Sequence, residues 1–262
     1  MDDMAANRGF TSEDLWVERG DQRIYGKLYL PEGYDGSRRL PAIICAHYFS
    51  GSHRTSAVWA RLMARAGYAA YAFDFCGSSP LSRSTGATTE CTIFTHAADL
   101  SAIIDAFKEL DTVDPASIFL LGQSQGGAVS AMAAAERSDD VAGLVLLYPA
   151  FVIHQSAVDR FGTPENVPET YLQFGQELGR DYALAALSYD FYEHVGAYTG
   201  PVIMFQGDAD DMEPKEFSDR AASCYADLDY EIIPRAGHVF EGEDRAHVAA
   251  RIAAFVAEHS RG

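Results

Sequence analysis

The sequence predicts an α/β fold in which a doubly wound, mostly parallel sheet carries one inserted segment. Short apolar runs alternate with helical patterns along most of the chain, and the runs are too continuously apolar to be half-exposed strands. One connection, over residues 151–199, is much longer than the others. A chain of 262 residues, 48% of them hydrophobic, can bury a full core, so we expect a single domain over residues 1–262.

Two extended segments near the start, Leu15–Glu18 and Arg23–Leu30, predict an antiparallel hairpin. The second segment runs into Pro31, and a stretch rich in glycine and aspartate follows over residues 33–37. Such turn-forming residues end an extended segment, so we expect the hairpin to stop there.

Six apolar runs bounded by turn residues then predict buried parallel strands at residues 41–46, 69–74, 117–121, 141–147, 201–205 and 230–233. Helical patterns lie between or after them, at about 54–66, 94–110, 125–137, 214–225 and 243–259. Strands and helices in this alternation predict a ligand site at the carboxyl ends of the strands.

The connection over residues 151–199 departs from this alternation and is rich in aromatic residues. They include Phe151, Phe161, Tyr171, Phe174, Tyr182, Tyr189, Phe191 and Tyr192. A long insertion in a compact domain is functional more often than inert. We therefore expect a cap over the substrate site, and surface helices that pack their own aromatic side chains are the alternative.

The strand over residues 117–121 leads into Gly122-Gln123-Ser124-Gln125-Gly126-Gly127, and a helical stretch follows. This is the G-x-S-x-G nucleophile elbow, whose small residues let the chain turn sharply and leave the serine hydroxyl exposed. The pattern alone is weak evidence, and the strand before it and the helix after it supply the specificity. We predict that Ser124 is the nucleophile, with the helix dipole beside the developing oxyanion.

A carboxylate loop and a histidine follow the elbow in the chain order that serine hydrolases of this kind use. The acidic loop over residues 206–214 comes directly after a predicted strand. His238 lies in a tight loop after the last predicted strand and before the final helix. No other histidine stands in such a motif, so we predict His238 as the general base.

Three aspartates of the acidic loop compete for the role of the carboxylate that orients the base. The usual pattern Gly-x-x-Asp-x-x-x-Pro places Asp210 between Gly207 and Pro214, so Asp210 is our prediction. Asp208 and Asp211 remain as alternatives, with helix capping or solvation as their other roles.

An oxyanion hole needs two backbone N–H groups, one from the residue after the nucleophile and one from the loop after an earlier parallel strand. Gln125 supplies the first N–H, and Phe49 is predicted to supply the second. Tyr48 stands where glycine is usual, which leaves the backbone angles of this loop open. His53 follows the same loop and is either a substrate contact or a surface histidine.

The charge balance excludes a nucleic-acid interface, because 20 Lys and Arg residues face 38 Asp and Glu residues, for a net charge of −18. A neutral or small substrate fits this charge better. No phosphate-cradling glycine loop and no ligand cluster occur, so no metal and no organic cofactor is expected. The expected partner is a small-molecule ester, and a homodimer is left open.

The start of the chain has no basic patch followed by an apolar stretch, and no run approaches the ~18 apolar residues that a membrane span needs. The four cysteines are scattered and form no C-x-x-C pair. We therefore expect reduced thiols in a cytoplasmic protein without membrane contact. Cys76 lies near the predicted site, and we interpret it as a bystander thiol.

Several motifs together resemble the bacterial cinnamoyl and feruloyl esterase branch of the α/β-hydrolases. They are the elbow around Ser124, His47-x-Phe49-x-Gly51, Asp74-x-x-Gly77, the Asp210 loop and Ala236-Gly237-His238-x-Phe240. The resemblance covers nearly all of the chain after about residue 20. It implies the α/β-hydrolase fold with a cap at the insertion, and hydrolysis of hydroxycinnamic esters. It also implies that a cap tyrosine, Tyr182, contacts the phenolic end of the acyl group, and it places Ser156 where the family has an acidic substrate-binding residue.

The sequence thus predicts a serine esterase that works through an acyl-serine intermediate. A broad carboxylesterase or a thioesterase would use the same residues and differ in pocket shape. An acylaminopeptidase is disfavoured, because such enzymes usually carry a large extra domain. A non-catalytic α/β-hydrolase receptor would keep the pocket, but the complete set of three catalytic residue types argues against it.

Overall fold

The computed structural model describes residues 9–261. Its strands are β1 (Phe10–Arg19), β2 (Gln22–Pro31), β3 (Leu40–Ala46), β4 (Ala69–Phe73), β5 (Val113–Gln123), β6 (Gly143–Leu147), β7 (Thr170–Gln173), β8 (Gln176–Gly179), β9 (Val202–Gly207) and β10 (Leu228–Ile233). Its α-helices are α1 (His53–Ala66), α2 (Ile93–Lys108), α3 (Gln125–Glu136), α4 (Ile153–Phe161), α5 (Arg180–Ser188), α6 (Lys215–Ala222) and α7 (Gly242–His259).

Eight of these strands form one sheet in the order β1-β2-β4-β3-β5-β6-β9-β10. The strands from β4 to β10 in this order are parallel, whereas β2 is antiparallel to both β1 and β4. Because parallel strands point the same way, the loops after β3, β5, β6, β9 and β10 all meet at one edge. The predicted fold, a doubly wound and mostly parallel sheet, is confirmed.

Helices cover both faces of this sheet and create two apolar layers. The larger layer packs α2, α3 and the insertion on one face, and the smaller one packs α1 and α7 on the other. Central strand residues such as Ile44 and Leu120 are fully buried, and each such side chain contributes about 1.5–3 kcal/mol through burial. The apolar runs in the sequence are therefore explained by strands that are covered on both sides.

Helix α1 begins where its sequence predicts, because Ser52 caps it. The Ser52 hydroxyl accepts a hydrogen bond from the Arg54 backbone N–H, and the Ser52 backbone N–H donates to the hydroxyl of Thr55. The helix ends at Gly67, whose φ of 108° lies in the left-handed region. These two ends fix α1 directly behind the loop that follows β3.

The structure adds elements that the sequence patterns did not predict. The insertion between β6 and β9 holds α4, α5 and short 3-10 turns, and also a separate antiparallel hairpin of β7 and β8. β1 is much longer than predicted, because it is an edge strand whose side chains are mostly exposed and polar, whereas β2 extends the predicted segment by one residue at each end. The assignment of residues 151–199 as a cap within a single domain stays a prediction.

Among residues 9–261, no helix combines the length and apolar character needed to cross a membrane.

Candidate active site

Ser124 occupies the sharp turn between β5 and α3, with φ of 50° and ψ of −119°. Non-glycine residues rarely adopt such angles, and this one is held by surrounding hydrogen bonds. The Ser124 N–H donates to the Leu147 carbonyl at 2.9 Å, and the Ser124 carbonyl accepts from Gly127 and Ala150 at 2.8 and 2.9 Å. The elbow is therefore anchored to the end of β6 and its following loop.

Two glycines make this turn sterically feasible. A Cβ atom on Gly122 would lie 2.3 Å from the Gly126 carbonyl oxygen, and one on Gly126 would lie 2.4 Å from the His47 carbonyl oxygen. Both contacts are with backbone atoms, which cannot move aside. The glycines thus let α3 start directly against β5 and the loop after β3.

His238 and Asp210 meet at the same edge of the sheet. The His238 Nδ1 atom lies 2.9 Å from Asp210 Oδ2, which leaves Nε2 as the ring nitrogen available to Ser124. His238 and Ser124 line one cavity, and no hydrogen bond joins their side chains in the part of the chain that the structure describes. Such contacts often tighten only when substrate is bound.

Asp210 is held by several donors. Its Oδ1 accepts from the backbone N–H groups of Met212 and Glu213, both at 2.9 Å, and Gln206 Nε2 donates to Oδ2 at 3.1 Å. Burial alone would raise the pKa of Asp210, but the bond to His238 and these backbone donors hold it below its usual value. The group is therefore a carboxylate at neutral pH.

The other two aspartates of this loop have different surroundings. Asp208 accepts from the backbone N–H of Arg235, and Asp211 is exposed. Only Asp210, of the three, contacts the His238 ring.

The ring of Tyr148 supports His238 from the side, with 4.9 Å between ring centroids. The Tyr148 hydroxyl donates to Gln123 Oε1 at 3.2 Å, and Trp59 Nε1 donates to the same oxygen at 3.1 Å. The sequence did not indicate this support, because Tyr148 stands in an apolar stretch that is typical of ordinary core.

The N–H groups predicted to form the oxyanion hole are both available. Neither the Phe49 nor the Gln125 N–H donates to a protein acceptor within residues 9–261. Gln125 is the first residue of α3, where an N–H has no partner in the helix. Phe49 lies in the loop after β3 and lines the cavity with Ser124.

The loop that carries Phe49 is fixed by His47. Its Nε2 accepts from the Phe75 N–H at 3.2 Å, so its Nδ1 carries the proton and donates to the Tyr48 carbonyl at 2.7 Å. Burial lowers the pKa of His47, which keeps the ring neutral in this tautomer. The residue with positive φ in this loop is Ser50, at 56°, and not Tyr48, so a tyrosine replaces glycine there without strain.

The side chain of Gln125 links the insertion to the elbow. The Tyr182 hydroxyl, on α5, donates to Gln125 Oε1 at 2.7 Å, and Gln125 Nε2 lies 3.1 Å from His96 Nδ1. Burial lowers the pKa of His96 to about 3, so the ring is neutral and can accept from the amide. Tyr182 therefore lines the cavity with its hydroxyl already engaged as a donor.

A cavity of about 590 Å³ opens above Ser124. The insertion contributes much of its wall, including Phe161, Tyr171, Phe174 and Tyr182. Ser156 on α4 also lines it, as an exposed residue. All seven predicted site residues are thus in or beside one space: Ser124, Asp210, His238, Phe49, Gln125, Tyr182 and Ser156.

Glu213 is a wall residue that the sequence analysis missed. It is 7% exposed, and burial, together with the nearby Asp210 carboxylate, raises its pKa to about 9. The run of acidic residues around it was the available signal, but the sequence could not tell which acid turns inward.

Two residues near the site have other roles. His53 is not a surface histidine: it is buried at the start of α1, and its Nδ1 lies 2.9 Å from Asp74 Oδ1. It does not line the cavity above Ser124, which also removes it as a direct substrate contact. Burial raises the pKa of the Cys76 thiol to about 12, so this group is a poor nucleophile.

Comparisons with known proteins agree with the fold. The structure of Est1E from Butyrivibrio proteoclasticus with bound ferulic acid superposes with a TM-score of 0.84 at 26% identity, over 94% of this chain and 98% of that one. The α/β hydrolase GrgF from Penicillium sp. sh18 superposes with a TM-score of 0.78 at 18% identity, over 95% and 99% of the two chains, and shows the fold alone.

Sequence comparison adds a relative and a family. Uncharacterized protein Rv2307c of Mycobacterium tuberculosis is 26% identical over 226 residues, which cover 86% of this chain and 72% of that protein. Residues 40–178, more than half of the chain, match the family described as serine aminopeptidase, S33. The elbow, the acidic loop and the histidine loop meet at one sheet edge. Because the family match covers more than half of the chain, this chain belongs to that family of α/β-hydrolases.

Proposed function

We propose that the protein is a serine esterase that hydrolyses carboxylic esters through an acyl-serine intermediate. His238 removes the proton of Ser124 as the hydroxyl attacks the ester carbonyl, and then passes that proton to the leaving alcohol. Water repeats the sequence on the acyl-serine and releases the acid. Asp210 keeps the His238 ring in the required tautomer and stabilises its charged form.

The negative charge of the tetrahedral intermediate falls on the carbonyl oxygen. The N–H groups of Phe49 and Gln125 would receive it, since both are free of protein acceptors within residues 9–261. His47 holds the first donor and the start of α3 presents the second. This arrangement needs little rearrangement during the reaction.

Hydroxycinnamate esters are the proposed substrates. The observation that carries this proposal is the aromatic wall over Ser124, where Phe49 and Tyr182 meet edge to face with 6.2 Å between ring centroids. Phe174 also meets Phe49, at 5.9 Å. A flat aromatic acyl group can pack on such rings, and the likeness to a structure with bound ferulic acid supports the same class.

A panel of esters with one common leaving group tests the proposal. Methyl esters of ferulic, caffeic and cinnamic acids should be cleaved with higher kcat/KM than methyl acetate or methyl butyrate, because binding at the far end of the acyl group holds its carbonyl over Ser124. A preference for the short aliphatic esters would overturn the hydroxycinnamate assignment and leave a general carboxylesterase. Thioesters of the same acids separate a thioesterase from both.

Aminopeptidase activity is the second candidate, and the description of the matching family favours it. Aminoacyl 4-nitroanilides measure it directly with the same protein. A non-catalytic receptor is a third class: such a protein would not react with a fluorophosphonate probe, whereas an activated Ser124 would be labelled.

The cytoplasm is the proposed location. Four free thiols support it, since none of Cys45, Cys76, Cys91 and Cys224 is paired.

A further inference from the structure

The proposed mechanism leaves one carboxyl group of the cavity wall unused. Glu213 belongs to the same loop as Asp210 and lines the cavity with Ser124 and His238. Its Oε2 atom is buried and has no hydrogen-bond partner within residues 9–261. A buried polar atom without a hydrogen-bond partner lowers the stability of the fold. Because Glu213 lies beside the proposed reacting groups, we expect a bound ligand to supply the missing hydrogen bond to its Oε2 atom.

The surroundings of Glu213 favour its protonated form. Burial, with Asp210 as the second cause, raises its pKa to about 9, and an interaction with the Val152 N–H offsets only part of this. The other titratable or charged groups near Glu213 or in the same cavity wall are His238, Arg160, Tyr48, Tyr171, Tyr182 and Tyr192. Burial raises the pKa of Tyr171, Tyr182 and Tyr192, so these three stay neutral. At neutral pH Glu213 therefore offers an O–H donor.

The charges around the cavity disfavour an ionic ligand. A second anion would lie close to the buried Asp210 carboxylate. A cation would share the cavity with Arg160, whose guanidinium lies 4.8 Å from the Tyr171 ring centroid. A neutral group with an acceptor oxygen meets neither cost and pairs with the protonated carboxyl.

We propose that Glu213 is a specificity residue, which donates a hydrogen bond from its carboxyl group to an ether, hydroxyl or carbonyl oxygen on the acyl part of a neutral ester. This inference rests on the proposed ester hydrolysis and narrows its substrate class to acyl groups with an acceptor oxygen beyond the ester itself. Apolar acyl groups of the same shape would leave the Glu213 donor unpaired.

Binding to the inactive Ser124→Ala protein tests this without turnover. Two matched pairs of ligands are compared by calorimetry: the methyl esters of 3- and 4-methoxycinnamic acid, and their 3- and 4-ethyl counterparts, which replace the ether oxygen by a methylene of similar size. The quantity measured is the ratio of the Kd of the ethyl ester to the Kd of the methoxy ester. It is compared in Ser124→Ala and in double variants that add Glu213→Gln, Glu213→Met or, as a control in the same wall, Arg160→Met.

For at least one ring position we expect the ratio to fall about tenfold with Glu213→Met, because a neutral hydrogen bond is lost. Glu213→Gln keeps a neutral donor and should keep the ratio, and Arg160→Met should weaken both esters of a pair alike. Glu213→Leu repeats the apolar test if the methionine variant does not fold.

A ratio that Glu213→Met leaves within about twofold at both positions would overturn the proposal. So would tighter binding of 4-carboxy or 4-aminomethyl cinnamate esters than of the methoxy esters, because that result would show recognition of charge. An activity assay of the wild-type protein tests the proposed function separately. If that function is wrong, the protein with Ser124 intact will cleave none of these esters, whatever the binding ratios are.

Discussion

Individual side chains at the sheet edge are held by contacts that leave their reactive atoms free. Ser124 is fixed through its backbone, which bonds to Leu147, Gly127 and Ala150, and its hydroxyl makes no hydrogen bond within residues 9–261. His238, which lines the cavity, is fixed through Nδ1 and through its ring contact with Tyr148, so Nε2 is the ring nitrogen left available. In both residues, the atoms that hold the residue in place differ from the atoms that we propose to react.

Replacement of Ser124 by alanine should therefore remove activity and leave stability nearly unchanged. We expect a loss of about 10⁴-fold or more in ester turnover, because the nucleophile is missing. The midpoint of thermal unfolding should shift by little, since no core side chain is truncated. Activity within about tenfold of the wild type would exclude Ser124 as the nucleophile.

Asp210→Asn tests the choice among the three aspartates. The amide cannot hold the His238 ring in the tautomer that accepts the serine proton, so turnover should fall on the order of 10³- to 10⁴-fold. Asp208→Asn is the matched control, since Asp208 bonds to the Arg235 backbone and not to His238. The opposite pattern, with only the Asp208 variant crippled, would mean that the carboxylate has been misassigned.

Tyr182→Phe separates substrate contact from support of Gln125. The hydroxyl donates to Gln125 Oε1, so it can meet a substrate phenol only as an acceptor. If it does, the variant should lose about 1 kcal/mol more of transition-state stabilisation on methyl ferulate than on methyl cinnamate. Equal losses in kcat/KM on the two esters would reduce Tyr182 to a role in fixing Gln125.

At the scale of elements, the site depends on how closely α3, β5 and the loop after β3 approach one another. Gly126 is the contact point, because its Cα faces the His47 carbonyl and leaves no room for a methyl group. His47 in turn sets the position of the Phe49 N–H. The elbow and the oxyanion loop therefore form one packed unit.

Gly126→Ala should disrupt this unit. The added Cβ would lie 2.4 Å from the His47 carbonyl oxygen, so the loop or the helix must shift, and both activity and stability should fall, the latter by about 1–3 kcal/mol. Gly127→Ala is the graded control, since its Cβ would meet Pro149 Cβ at 3.0 Å. Denaturant unfolding and ester turnover measure the two effects, and a Gly126→Ala protein as active as the wild type would contradict the packing argument.

At the scale of the whole molecule, the dominant electrostatic feature is the excess of acidic residues, with 38 Asp and Glu against 20 Lys and Arg. Most of these charges are on the surface, where they favour solubility. Glu213 is an exception, because it is buried and close to a second carboxylate. Because Glu213 is buried beside Asp210, its protonation affects the free energy of unfolding of the whole protein.

This coupling predicts a pH dependence of the free energy of unfolding. The pKa of Glu213 is raised from 4.5 to about 9 in the folded protein, so between these values the folded state binds one more proton than the unfolded state. The stabilisation is complete below the lower value and is lost as the pH rises towards 9, at up to about 1.4 kcal/mol per pH unit.

Glu213→Gln, which cannot ionise, should remove this contribution and flatten the decline in stability between about pH 5 and 9, because no buried charge has to form. Urea titrations of the two proteins at several pH values measure the difference. Parallel stability curves for the variant and the wild type would show that Glu213 is not protonated in the fold.

The sequence by itself determined the fold class, and it predicted the residues that we propose to carry the chemistry. Continuous apolar runs define strands covered on both faces, and a serine between small residues at the end of one such run marks the elbow, because both patterns arise from local backbone and burial constraints. The order of Ser124, Asp210 and His238 followed from loops that come after successive strands. The edge strand β1 was predicted too short, since an exposed strand has no continuous apolar signal.

Only the tertiary structure decided which polar groups turn inward. Four acidic residues crowd the loop after β9. The positions of Gly207 and Pro214 predicted Asp210 as the partner of His238, but nothing in the sequence showed that Glu213 also enters the cavity wall. His53 looked like a loop residue, but its burial depends on Asp74, which comes after a different strand. The link from Tyr182 through Gln125 to His96 joins three helices and exists only once they pack. Burial and hydrogen-bond partners are properties of the assembled core, which is why the sequence did not show that Glu213 and His53 are buried or that Tyr182, Gln125 and His96 are linked.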